Sequence, residues 1–176
     1  MELDSPNFLI ADVVACSGID PNTLQTWIRR QMFLFDPQDR SGAGTGSRRL
    51  FTRRTICRSA IAAELVRNGV APGRAFNAAR LFTNVPHADE HGGVSFAFGD
   101  SHLKGRIFLI LYPSQNQGVD QDASIYEQGS GPCTLILPDQ SDRLAEVLAR
   151  GGCSSAICVD CTAIVADVDR VLEARQ

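Results

Sequence analysis

The sequence predicts an α+β fold, in which a helical N-terminal part precedes a part where strands and helices alternate. Apolar residues recur at helical spacing within residues 12–16, 21–30, 52–68 and 72–82, with turn residues between these segments. Beyond residue 93 the β-rich runs VSFAF, RIFLILY, CTLIL and SAICV appear. The hydrophobic content of 44% is enough for a packed core.

The charge is divided unequally along the chain. Residues 1–85 hold 11 Arg against 7 Asp or Glu, a net +4, whereas residues 86–176 hold 6 basic and 13 acidic side chains, a net −7. A cationic half attracts polyanions such as nucleic acids, and an acidic half is repelled by their phosphates. We therefore expect any nucleic-acid contact in the N-terminal half.

Two short helices begin the chain. The first carries Val13 and Val14, and the turn Ser17-Gly18-Ile19-Asp20 ends it. Pro21 suits the first position of the second helix, with Asp20 as its N-cap. On this second helix the apolar residues share one face, and polar residues fill the other.

A loop and two further helices follow. Residues 36–49, DPQDRSGAGTGSRR, have the composition of a flexible basic loop or hairpin tip. Thr52 can cap a third helix that runs to about Asn68, where Gly69 ends it. Pro72 opens a fourth helix.

A change of pattern separates two predicted domains. Helical periodicity stops at residues 83–93, TNVPHADEHGG, and the charge balance changes sign there. We predict an N-terminal domain over residues 1–85, a linker over 86–93 and a second domain over 94–176. Because helices at 141–150 and 161–175 alternate with strands, the second domain is predicted to be a small α/β or α+β unit.

Two helices joined by a Ser-Gly turn form the parts of a helix-turn-helix motif. The second helix of that motif places short polar side chains against base edges and cations against phosphates. Six residues of the second predicted helix have these properties: Asn22, Thr23, Gln25, Thr26, Arg29 and Arg30. We predict that they contact DNA.

The N-terminal half resembles the MerR family of bacterial transcription regulators. The stretch FLIADVVACSGIDPNTLQTWIRRQMF is similar to the family's first strand, first helix, turn and recognition helix, and RLFTRRTICRSAIAAELVRNGVAP to its wing ending and following helix. The resemblance implies a winged helix-turn-helix domain that binds double-stranded DNA. It also implies that Arg49 is the wing arginine and Phe51 the wing aromatic residue.

Within the recognition helix, the resemblance places Thr23 and Leu24 at the opening Thr-Leu pair and Trp27 at the buried aromatic position. Arg29 stands at the family's basic position. The chain has Gln25 where the family usually has Arg, and no heptad pattern corresponds to the family's long dimerisation helix. The resemblance therefore implies nothing about residues 94–176.

Arginines are concentrated in the predicted wing and just after it. Each phosphate contact adds to a salt-dependent affinity, and five arginines within fifteen residues exceed what solubility needs. They are Arg40, Arg48, Arg49, Arg53 and Arg54. The last four are predicted to contact DNA.

As the only Trp, Trp27 on an apolar face is predicted to be a core residue.

The cysteines can be interpreted as packed thiols or as a functional site. Cys16 and Cys57 are expected to be small buried hydrophobes. CSSAICVDC has the spacing C-x4-C-x2-C and HADEH places two histidines four residues apart, a pattern that a metal site would use. The Cys-x-x-Cys between a predicted strand and a predicted helix is also a feature of thiol redox sites. We expect Cys153, Cys158 and Cys161 to be packing or incidental thiols, and we expect neither a metal nor a cofactor.

The leading hypothesis is a sequence-specific DNA-binding transcription regulator. We expect a homodimer on two-fold related half-sites, with the second domain dimerising, sensing a small effector or contacting a protein partner. The alternative is a DNA-docking adaptor that recruits a protein through its acidic half. Catalysis in the second domain is a third hypothesis, but no nucleotide-binding or nucleophile motif favours an enzyme.

Location follows from what the sequence lacks. It has no signal-peptide pattern and no apolar run of membrane-spanning length. We expect a cytoplasmic protein associated with the nucleoid, with no membrane partner.

Overall fold

A computed structural model describes residues 5–40, 48–83, 87–88, 94–95, 106–111, 133–136 and 156–175. Four helices occupy the N-terminal half: α1 (Ile10–Ser17), α2 (Pro21–Arg29), α3 (Arg53–Arg67) and α4 (Pro72–Thr83). The other described elements are the strands β1 (His87–Ala88), β2 (Val94–Ser95), β3 (Phe108–Leu111), β4 (Cys133–Ile136) and β5 (Ile157–Asp160), and the helix α5 (Cys161–Glu173). Helices and antiparallel strands together make the fold α+β, as predicted.

The turn between α1 and α2 depends on a glycine and a carboxylate. Gly18 takes a left-handed φ of +64° and donates its N–H to the carbonyl of Val14 at 2.9 Å, which ends α1. The Asp20 carboxylate accepts from the N–H groups of Asn22 and Thr23 at 2.9 and 3.2 Å. The predicted cap and the predicted helix start at Pro21 are therefore confirmed.

The end of α2 is closed by a residue with positive φ that is not glycine. Gln31 has φ of +57° and donates to Ile28, while Met32 donates to the carbonyl of Trp27 at 2.9 Å. These two bonds form a Schellman motif, in which glycine is the usual residue. The chain leaves α2 sharply and returns toward the core.

The third helix, α3, is the centre of the molecule. Thr52 caps it by accepting from the N–H of Thr55 at 3.2 Å, and Gly69 follows its end with φ of +87°. Cys57, Ile61 and Leu65 are fully buried. Helices α1, α4 and α5 all pack on α3, so it has almost no solvent-exposed face.

Two isolated bridges tie the segments beside α3. Phe8 and Phe51 exchange two backbone hydrogen bonds of 3.1 and 2.8 Å, and Arg40 and Leu50 exchange two of 3.0 Å. The segment 48–51, which we name the wing strand, is thereby paired on both sides. The glycine-rich predicted tip at 41–47 lies outside the described residues.

The C-terminal strands form antiparallel pairs. β1 pairs with β2, and a three-stranded sheet has the order β4-β3-β5, with Ile110 opposite both Thr134 and Cys158. Antiparallel pairing favours α+β over α/β for this part of the chain. The predicted helix at 141–150 lies outside the described residues.

The described parts on both sides of the predicted linker share one core. Val13 of α1 and Phe76 of α4 belong to the same buried cluster as Leu109 of β3 and Val168 of α5. The linker itself lies largely outside the described residues, so the division into domains stays a prediction. Any domain division must allow for α5, which packs on α1 and α3.

Candidate nucleic-acid interface

Helix α2 presents an exposed polar face. Leu24 and Trp27 are buried, with exposures of 0% and 8%, and the Trp27 ring meets Phe76 edge to face at 5.8 Å. The predicted core position of Trp27 is therefore confirmed. All six predicted contact residues of this helix are exposed: Asn22, Thr23, Gln25, Thr26, Arg29 and Arg30.

The polar groups on this face are mostly free to bind a ligand. Within the described part of the chain, the side chains of Gln25, Arg29 and Arg30 make no hydrogen bond or ion pair. Thr26 uses its hydroxyl proton in a 2.8 Å bond to the carbonyl of Asn22, so it can only accept from a ligand in this rotamer. Because Asp20 takes the first free N–H groups of α2, recognition here depends on side chains rather than on the helix terminus.

The wing strand carries two exposed cations. Arg48 and Arg49 are both exposed, and the guanidinium carbon of Arg49 lies 4.3 Å from the centroid of the Phe35 ring. Phe51, at the predicted wing aromatic position, is only 1% exposed. Phe51 is therefore a core residue, whereas Arg49, two residues earlier, is exposed.

Two of the predicted DNA contacts are turned inward. Arg53 is 6% exposed and forms a two-pronged ion pair with Asp169 of α5, with both hydrogen bonds at 2.6 Å. Arg54 lies 3.7 Å from the Asp36 carboxylate and is largely buried. Arg53 and Arg54 were predicted to contact DNA. The structure instead pairs their guanidinium groups with the carboxylates of residues distant in sequence, so neither is an exposed cation.

A buried polar cluster around Asp36 and Arg58 was not predicted from the sequence. Asp36 is 5% exposed and lies 3.6 Å from the guanidinium of Arg58, which is 2% exposed. Arg58 also donates to the Thr83 hydroxyl at 3.0 Å and to the carbonyl of Leu34 at 3.1 Å. Burial lowers the pKa of Arg58, and the charge of Asp36 acts in the opposite direction.

Asp39 joins the base of the wing to the start of α3. One carboxylate oxygen accepts from the Thr52 N–H at 2.7 Å. The other accepts from the Asp36 N–H at 2.8 Å and the Thr55 hydroxyl at 2.7 Å. The pattern Asp-Pro-x-Asp followed by Thr-x-x-Thr was the available sequence signal for this connection.

Most exposed charged side chains of α2 and of the segments before and after the 41–47 tip are arginines, and Asp20 at the N-cap of α2 is an exposed acid among them. Asp36 is buried and Asp39 is half-buried, whereas five arginines of this region are exposed: Arg29, Arg30, Arg40, Arg48 and Arg49. Partly buried acids still contribute to the field, but they cannot approach a ligand. The exposed cations are the groups available to a polyanion.

The described cysteines are packed or isolated. Cys57 and Cys161 are fully buried, Cys158 is exposed, and Cys16 is half-buried. Burial raises the pKa of Cys57 to about 12 and that of Cys16 to about 11, so both are neutral thiols at neutral pH. The buried position expected for Cys57 is confirmed, whereas Cys16, which was also expected to be buried, is only half-buried.

The predicted metal spacing is only partly described. Cys153 and His91 lie outside the described residues, as does the side chain of His87. Among residues that the structure does describe, no three His, Cys, Asp or Glu side chains are grouped as metal ligands would be. The choice between packing or incidental thiols and a metal site therefore stays a prediction for Cys153, Cys158 and Cys161.

Comparison with known proteins does not assign this chain to a family. No protein-family model matches this chain, and no curated protein matches it. Of the helices in the described ranges, none has both the length and the apolar character needed to cross a bilayer. A functional assignment must therefore start from the geometry of α2 and the wing strand.

Proposed function

We propose that the chain is a sequence-specific DNA-binding transcription regulator with a MerR-like winged helix-turn-helix. The observation that carries this proposal is the exposed polar face of α2, together with the exposed arginines of the wing strand. A recognition helix needs short polar side chains for base edges, with cations close by for phosphates. Gln25 and Arg29 meet the two requirements on one exposed face.

The connections around this face also support a winged arrangement. The tight turn at Gly18 joins α1 to α2, as in a helix-turn-helix. The bridge of Arg40 with Leu50 closes the base of a hairpin, and the bridge of Phe8 with Phe51 joins that hairpin to the segment before α1. A hairpin in this position corresponds to a wing, and its exposed arginines would follow the phosphate backbone.

We further propose a cytoplasmic homodimer. Proteins that read the major groove with one helix usually bind two half-sites as a two-fold dimer, because one half-site gives little specificity. The second half of the chain, with its net charge of −7, is unsuited to DNA and is available for dimerisation, an effector or a protein partner.

That same acidity favours a second candidate function, a DNA-docking adaptor. Such a protein would bind DNA through α2 and the wing but recruit a basic partner through residues 86–176. Genome-wide mapping of bound sites separates the two functions. A regulator should occupy promoters with one symmetric motif, whereas an adaptor should follow the sites of its partner.

The test of DNA reading compares two variants of the full chain on two duplexes. After selection of a preferred duplex from a random pool, affinity is measured for that duplex and for a scrambled one. Gln25→Ala should weaken only the preferred duplex, by about 1–3 kcal/mol if Gln25 makes a bidentate base contact. Arg49→Ala should weaken both and reduce the salt dependence by about one phosphate contact.

A matched control is Arg170→Ala, because Arg170 is an exposed arginine on α5 that is paired with Asp167. It should leave both affinities unchanged. If Gln25→Ala weakened the affinity for the two duplexes equally, Gln25 would not be a base-reading residue. Absence of any salt-dependent DNA binding by the wild-type chain would refute the proposed function.

A further inference from the structure

Three phenylalanine rings, Phe51 of the wing strand with Phe33 and Phe35 from the segment after α2, form a cluster. Phe33 and Phe51 are buried, at 3% and 1% exposure, whereas Phe35 is 38% exposed. The Phe35 ring lies 4.8 Å from Phe33 and 6.3 Å from Phe51, between centroids, and is nearly parallel to Phe51 at 19°. Two buried rings therefore fix an aromatic ring at the surface.

Arg49 rests on this exposed ring. Its guanidinium carbon is 4.3 Å from the Phe35 centroid, which is within the range of a cation–π contact. Among the described residues Arg49 has no ion pair. The ring face is thus the partner that orients this side chain.

The neighbouring arginines are held in a different way. Arg53 is bound by Asp169, and Arg58 contacts Asp36. A carboxylate neutralises the charge and occupies N–H donors, whereas an aromatic face does neither. Arg49 is consequently ordered while its full charge and its N–H donors stay available.

We propose that Phe35 is a positioning residue that holds Arg49 ready to bind a phosphate of the DNA backbone. This inference rests on the proposed DNA-binding function. The guanidinium fork matches two phosphate oxygens, and an ordered side chain loses less conformational entropy when it binds. Because phosphates are alike in every sequence, the contribution of Phe35 is independent of sequence.

The experiment is a double-mutant cycle on the full chain, measured by fluorescence anisotropy with the preferred and the scrambled duplex. Phe35→Leu keeps apolar volume but removes the ring, and it should weaken both duplexes by about 2- to 5-fold, the range expected for an exposed cation–π contact. Phe35→Tyr keeps the ring and should bind like the wild type. Adding Phe35→Leu to Arg49→Ala should cause no further loss.

Arg48 provides the comparison. The losses of Phe35→Leu and Arg48→Ala should multiply, because Arg48 is exposed but is not stacked on Phe35. Phe35→Leu should also leave the salt dependence nearly unchanged, whereas Arg49→Ala should lower it by about one phosphate. A residue that merely stabilises the fold would not distinguish Arg49 from Arg48.

Several outcomes would overturn the inference. If the losses of affinity in Phe35→Leu and Arg49→Ala multiplied in the double mutant, the two side chains would act separately. This inference would then fail, although Arg49 itself would still bind DNA. A loss in Phe35→Tyr as large as that in Phe35→Leu would exclude the ring face as the cause. If Phe35→Leu melts early, Phe35→Met serves as the second non-aromatic variant. Absence of DNA binding by the wild type would refute the proposed function and this inference together.

Discussion

At the scale of single residues, Gly18 is required by both its backbone and its surroundings. Its φ is +64°, and a Cβ there would lie 3.1 Å from Nη2 of Arg67, which donates to the carbonyl of Ser17. We expect Gly18→Ala to lower the free energy of unfolding by about 1–2 kcal/mol, the usual cost of a left-handed residue with a Cβ. Urea denaturation measures this change.

Gly73 provides the control for that substitution. It lies within α4, its φ is not in the left-handed region, and a Cβ there meets nothing within 4 Å. Gly73→Ala should therefore stabilise the protein by about 0.5–1 kcal/mol. The prediction for Gly18 would be wrong if both substitutions changed stability in the same direction.

The buried thiol of Cys57 should make stability depend on alkaline pH. Its pKa is raised from 9.0 to about 12, so between these values the unfolded chain loses a proton that the folded chain keeps. Stability from this group is complete below pH 9 and decreases as the pH rises, by about 1.4 kcal/mol per pH unit. Urea denaturation with reductant at about pH 8 and about pH 10.5 tests this sign.

Cys57→Ala is the informative variant for that prediction. It creates a small cavity at every pH, but it removes the ionisable group, so its stability should fall less steeply between the two pH values. Equal slopes for the variant and the wild type would contradict the assigned burial effect.

At the scale of elements, the Asp39 carboxylate accepts three hydrogen bonds, two of them from Thr52 and Thr55 at the start of α3 and one from the N–H of Asp36. Hydrogen bonds to a charged group are worth more than neutral ones, and Asp39→Ala leaves donors near the core without their acceptor. We expect a loss of about 2–3 kcal/mol in the free energy of unfolding. Gln38→Ala, an exposed neighbour, should change it by less than about 0.5 kcal/mol.

Local signals predicted the helices well. The caps at Asp20 and Thr52 and the stop at Gly69 are where the sequence placed them, because capping depends on residues within one turn. The buried positions of Leu24 and Trp27 followed from helical periodicity. These features need no knowledge of distant residues.

Nonlocal contacts were the part that the sequence could not predict. Arg53 and Arg54 are indistinguishable from Arg48 and Arg49 by composition, yet Arg53 is buried and Arg54 is largely buried. Arg53 is held inward by Asp169, which is 116 residues away along the chain. No local sequence pattern predicts such a pair. The ring under Arg49 also depends on a hairpin register that periodicity does not fix.

At the scale of the whole molecule, the Arg53–Asp169 pair fastens α5 to the N-terminal helices. Asp169→Ala would remove the carboxylate that accepts two hydrogen bonds from the buried Arg53 guanidinium, so we expect a loss of about 1–3 kcal/mol in the free energy of unfolding. Asp167 lies two residues earlier on α5, in an exposed pair with Arg170. Asp167→Ala should cost less than about 0.5 kcal/mol.

Thermal melting followed by circular dichroism compares the two variants. A loss for Asp167→Ala as large as that for Asp169→Ala would show that general helix effects, and not the pair with Arg53, explain the change. Equal stability of Asp169→Ala and the wild type would mean that α5 is held by its apolar residues alone.

The place of α5 in the core also has a consequence for synthesis on the ribosome. Leu172 and Val168 belong to the core that surrounds α3, and α3 ends at Arg67. Translation at roughly 5–20 residues per second therefore separates the completion of α3 from the arrival of Leu172 by roughly 5–20 seconds. During that interval the nascent chain exposes the apolar surface that α5 later covers, which is the kind of surface that chaperones bind. A nascent chain stalled before α5 should consequently be more sensitive to protease than the finished protein.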